Sequence, residues 1–128
     1  MSITTISGAF YNYVKTNTIV PSVFYINADK KTKSPYISVM QTDDPNTNTL
    51  LCSDNGETRF LVTVFQSSYT KGINNRQALM DYIKLLRGET KNGFTIWNIT
   101  IENSWDNEKN VDNLYAFNFE VLIRWEKD

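Results

Sequence analysis

The chain of 128 residues contains no histidine, only one cysteine, three prolines and five glycines. Without histidine there is no Ser-His-Asp or Cys-His pair, no imidazole base and almost none of the common zinc ligand sets. The single thiol, Cys52, cannot form an internal bridge, so no disulfide framework organises the fold. Its neighbours Leu50, Leu51, Ser53 and Asp54 offer no base or cation to activate it. No apolar run approaches the ~18 residues that would span a bilayer. The longest, Ile19 to Ile26, is broken by Pro21 and Ser22. The opening MSITTISGAF has no basic stretch and interleaves Ser and Thr with Ile, so it is not read as a secretory signal. The glycosylation pattern Asn98-Ile99-Thr100 falls in an expected strand, without secretory context. The expectation is a soluble protein of the cell interior with no membrane partner. Thirteen basic against fourteen acidic residues leave a net charge of −1, which is no footprint for gripping nucleic acid.

What is present is core material. Apolar residues make up 41% of the chain, with three Trp, seven Tyr and seven Phe. That aromatic load and low net charge exclude global disorder. The length fits one domain, 1–128, with an ordinary core.

Hydrophobic spacing sets the expected order of elements. Ile3, Ile6, Phe10, Tyr13 and Val14 recur at three and four, an amphipathic helix over 3–15 capped by Thr4 or Thr5. Val23 to Asn27 reads as a short strand, and Lys30-Lys31-Thr32-Lys33 as its solvated exit loop. Pro35 opens a strand from Tyr36 to Thr42, where its missing donor is tolerated. A polar loop follows to Gly56. Residues 58–67 (TRFLVTVFQS) form the strongest strand signal, with Phe60, Val62 and Val64 on one face and Leu61 and Phe65 on the other. Such a strand is either central under a further layer or covered by a neighbouring subunit.

Ala78, Leu79, Tyr82, Ile83 and Leu86 define a second helix, with Asn74 or Asn75 as cap and Gly88 placed to stop it. Two long strands close the chain. In the first, Trp97, Ile99, Ile101 and Trp105 alternate with Asn98, Thr100, Glu102 and Ser104. In the second, Tyr115, Phe117, Phe119, Val121, Ile123 and Trp125 alternate with Ala116, Asn118, Glu120 and Arg124. Period two gives each an apolar and a polar face. The loop 106–113 joins them with a charged tip. The expected fold is α+β: a single mostly antiparallel five-stranded sheet with both helices on one face, in the order α-β-β-β-α-β-β.

Acids are the remaining candidates for catalysis. Asp44-Pro45-Asn46-Thr47-Asn48 begins like a calcium loop, but Thr49 stands where Gly is needed and Asn55 where Glu is needed. Asp43, Asp44, Asp54 and Glu57 could gather around magnesium as in a metal-dependent nuclease. They lie on a polar loop, however, whereas catalytic groups need firm positioning. No phosphate-binding glycine motif occurs, and Lys71-Gly72 reads as part of a helix start rather than an anion site. The aromatic stripe of Trp97, Trp105, Phe117, Phe119 and Trp125 lacks the interleaved cations of a base-stacking platform and reads as core. No catalytic residue, metal or cofactor is expected. A small adaptor binding a partner peptide along the Val23–Asn27 edge is a further possibility.

Three segments carry a resemblance. They are SPYISVMQT, then TRFLVTVFQSSYTKGINNRQALMDYIKLLRG, and the closing LYAFNFEVLIRWEKD. With the length and element order they resemble the tail-terminator (tail completion) proteins of long-tailed bacteriophages. The resemblance implies a structural virion protein acting by contact alone. It would form a hexameric ring that caps the tail tube, ends tube polymerisation and presents a surface for head–tail joining. Its partners would be its own copies, the tail tube protein and a head-completion or connector protein, with DNA only passing through the lumen. It would be assembled in the host cytoplasm and reside in the virion, at the tail end near the neck. A ring needs head-to-tail interfaces whose rotation closes.

On that basis Leu61 and Phe65 are the expected subunit interface. Asp43, Asp44, Asn46, Asn48 and Asp54, with Asp106, Glu108, Lys109 and Asp112, would make the axial contacts. Asn98, Glu102, Asn118 and Glu120 would line the lumen or face solvent, since a polar, weakly acidic wall passes DNA without holding it. A head–tail neck or stopper protein is the nearest alternative.

Overall fold

A computed structural model describes residues 5–16, 24–26, 36–43, 55–91, 93–108 and 114–127. The first helix, α1 (Ile6–Lys15), starts at Thr5, whose Oγ1 accepts a hydrogen bond from the Gly8 amide at 3.0 Å. It buries Ile6, Ala9, Phe10 and Val14, the stripe expected from the spacing. Three strands follow: β1 (Phe24–Ile26), β2 (Tyr36–Asp43) and β3 (Asn55–Gln66). Then come α2 (Tyr69–Lys84), β4 (Thr90–Lys91), β5 (Phe94–Asn107) and β6 (Tyr115–Lys127).

The strands form one sheet in the order β1-β2-β3-β6-β5-β4. Its body is four antiparallel strands, β2, β3, β6 and β5, while β1 adds to β2 in parallel. The expected fifth strand is therefore joined by a sixth, the two-residue β4. It folds back on β5 with Lys91 opposite Phe94, through Gly93 at φ +84°. The signal was the Asn92-Gly93 dipeptide, a common hairpin turn.

Both helices cover the same face. Phe10 of α1 stacks on Phe60 at 4.3 Å, and Leu79 and Ile83 of α2 join the core. Residues paired across antiparallel strands share a face, so Phe60, Val62 and Val64 lie with Val121, Phe119 and Phe117 under the helices. All six are fully buried.

The second helix begins earlier than its apolar stripe suggests. Ser68, not Asn74 or Asn75, is its cap, accepting from the Lys71 amide at 3.3 Å. The first turns carry few apolar residues because Gly72 is what faces the sheet. A Cβ there would lie 1.8 Å from Phe117 Cε2. A residue that weakens helices thus permits the close approach of α2 to β6. At the other end Gly88 adopts φ +81°, the left-handed conformation expected of it. Its amide donates to the Ile96 carbonyl at 2.6 Å, and the Ile96 amide to Glu89 at 2.9 Å, fastening the helix exit to β5.

The alternation of β6 holds along its length, but that of β5 does not. Register shifts between Ile96 and Asn98 and between Ile101 and Asn103 break the period. Phe94, Ile96 and Ile99 supply the core, whereas Trp97 is 57% and Trp105 37% exposed. The expectation that both tryptophans pack inward is corrected on this point.

Candidate functional site

The sheet face away from the helices presents Arg59, Leu61, Thr63 and Phe65 of β3 beside Ala116, Asn118, Glu120, Leu122 and Arg124 of β6. Arg59 reaches across β6 to Glu102 of β5, Nε to Oε1 at 2.5 Å and Nη2 to Oε2 at 3.1 Å. This forked pair holds the Glu102 carboxyl below its ordinary range, chiefly through the hydrogen bond from Arg59. Further along, Thr63 Oγ1 donates to Asn118 Oδ1 at 2.7 Å, and Asn118 Nδ2 donates to Asn107 Oδ1 at 2.7 Å. Asn118 therefore fixes β6 to both neighbours.

The expected lining residues divide accordingly. Asn98 and Glu102 are exposed and Glu120 is half-buried. Asn118 shares their face but is only 5% exposed, because its amide is committed to that network. Leu61 and Phe65 are half-buried, and Phe65 stacks on Tyr36 at 4.4 Å.

Of the expected axial residues, Asp43 ends β2 opposite Arg59. Asp106 belongs to β5 rather than to a loop, because the strand runs on to Asn107. It is ion-paired with Arg76 of α2 and accepts from the Tyr69 hydroxyl at 2.8 Å. That bond leads the causes raising the Tyr69 hydroxyl pKa. Arg76 also lies over the Phe117 ring, 5.7 Å from its centroid. Glu108 is exposed at the end of β5. Asp44, Asn46, Asn48, Asp54, Lys109 and Asp112 lie outside the described residues. Among the described residues no group of three metal-ligating side chains converges, and no helix is long and apolar enough to cross a membrane.

One feature of this face brings together two of the candidate residues, Glu57 and Asn98. At the end of the sheet a cleft of about 520 Å³ is bounded by Glu57, Trp97, Asn98, Arg124 and Glu126 over Gly56. Glu57 is paired in register with Arg124, and Arg124 with Asn98. The bulge that turns Trp97 outward builds its wall, and a bulge leaves no trace in a periodicity count.

No protein-family model matches the chain, and no curated protein matches it in sequence. Solved structures do match. A chain of the virion of a native gene transfer agent particle superposes with a TM-score of 0.66 at 8% identity, over 94% of both chains. A second solved chain, at TM-score 0.49 and 11% identity, covers 96% of this one and 93% of its own length and adds no argument. At such identities the likeness is one of fold, and it extends over almost the whole domain.

Proposed function

We propose that this chain is a structural protein of a phage-like virion, and within it a tail terminator. Six copies would close into a ring that caps the tail tube, halts its polymerisation and offers the surface for head–tail joining. The observation that carries the reading is the fold shared with a gene transfer agent virion chain over 94% of both molecules. The three segments that resemble tail terminators, covering strands β2, β3 and β6 and helix α2, support the finer assignment.

The open sheet face suits such an assembly. Met40 is 38% exposed there, and the half-buried Leu61, Phe65 and Leu122 add apolar area that a neighbouring copy would cover. On the part of that face which a neighbouring copy leaves open, Glu102 and Glu120 give a polar wall along which DNA passes without being held. Asp43, Asp44, Asn46, Asn48 and Asp54, with Glu108, Lys109 and Asp112, make the contacts to tube protein and connector. Asp106, tied to α2, supports its end of the ring from within.

Electron micrographs of particles lacking this product test the assignment. Tails of uncontrolled length are expected. Tails of normal length that fail to join heads would move the protein to the neck, and normal, attached tails would overturn both.

A further inference from the structure

We propose that the cleft beside Trp97 receives the Lys30–Lys33 segment of a neighbouring copy, making it a subunit joint of the ring. The inference rests on the ring reading above and specifies one of its contacts. Three observations converge on the cleft. Its anchor is an indole turned out of the core by the Ile96/Asn98 bulge and left 57% exposed. Tryptophan is enriched among the few residues that dominate binding near the centre of an interface.

The charges around it are unspent. Arg59 and Arg76 are each paired with a carboxylate, whereas Glu57, Arg124 and Glu126 form no ion pair among the described residues. Two carboxylates against one guanidinium leave the cleft acidic, and the indole face adds a cation–π site for an ammonium group.

The sequence contains one matching element. Lys30, Lys31 and Lys33 are the only place where three like charges fall within four residues. Lysine stems can lie along the indole while their ammonium groups reach Glu57 and Glu126. The cleft also continues the face that bears Leu61, so the proposed joint would adjoin the expected subunit interface.

Charge exchange in the full-length protein tests this. Native mass measurement would compare wild type, the double variant Glu57→Lys/Glu126→Lys, the triple variant Lys30→Glu/Lys31→Glu/Lys33→Glu, and all five changes combined. Each set alone is expected to weaken ring formation by ~10-fold or more, and the combination to restore it. Thermal melts establish that each variant is folded. Rings of wild-type affinity in either charge-reversed variant, or no recovery in the combination, overturn the joint. Carbodiimide cross-linking of mixed heavy- and light-isotope copies gives a second readout. Links from Glu57 or Glu126 to Lys30, Lys31 or Lys33 between isotopes support it, and links confined to one isotope overturn it. A wild type that never assembles, alone or with tube protein, removes the ring reading itself; unaltered rings in the variants remove only this joint.

Discussion

Tyr13 and Tyr82 hydrogen-bond to each other's main chain. The Tyr13 hydroxyl donates to the Tyr82 carbonyl at 2.8 Å, the Tyr82 hydroxyl to the Tyr13 carbonyl at 3.0 Å, and the rings stack at 4.4 Å. The two helices are thereby latched to each other near their C-terminal ends. Burial first, then the neighbouring Tyr82, pushes the Tyr13 hydroxyl up to about 12. Because the folded value lies above the unfolded one, this contribution is complete below pH 10 and is lost as pH rises from 10 through 12. Urea denaturation across that window should show a steeper loss for wild type than for Tyr13→Phe. At neutral pH the variant should be less stable by about 1 kcal/mol, one net hydrogen bond.

At Gly72 the helix approaches the sheet so closely that an added Cβ would lie 1.8 Å from Phe117. Gly72→Ala should destabilise by about 1–3 kcal/mol, since the added methyl meets the Phe117 ring and α2 must lift or the ring must move. Chemical denaturation measures it. In a Phe117→Leu background the penalty should shrink, which a double-mutant cycle reads as coupling.

The bulged strand makes opposite predictions for two of its aromatic residues. Phe94→Ala should cost about 3–5 kcal/mol, because that ring is enclosed against Trp125. Trp97→Ser should leave the stability of the monomer within about 0.5 kcal/mol. Had the simple alternation held, Trp97 would show the large loss.

Glu102→Gln removes one partner of a surface fork. The expected loss is only about 0.2–1 kcal/mol at neutral pH, because both side chains are about 30% exposed or slightly less. The depressed carboxyl makes its contribution above the ordinary glutamate range and loses it as pH falls through the folded value. A carbon-13 NMR titration of the Glu102 carboxyl should give a midpoint below 4.5, returning toward it in Arg59→Gln.

The strand and helix cores were legible wherever period and burial coincide. β6 alternates without a break, and α1 carries its cap and stripe in sequence order. Where one residue is added or one side chain removed, the pattern misleads. The bulges of β5 move Trp97 and Trp105 outward without altering composition, and Gly72 hides two helical turns because its lack of a side chain is what packs. The polar sheet face was legible as a face, but the committed amide of Asn118 and the Arg59–Glu102 fork depend on cross-strand neighbours more than fifty or forty positions away. No local window contains such pairs.

The place of β3 and β6 at the middle of the sheet has a kinetic consequence. β2–β3 and β5–β6 each join segments close in the chain, whereas β3–β6 pairs residues as distant as Asn55 and Glu126. Loop closure delays such a seam, so two locally wound halves should form first and zip together afterwards. Refolding should accordingly be limited by that docking, and slowed most by truncating side chains along the Val62–Phe119 line.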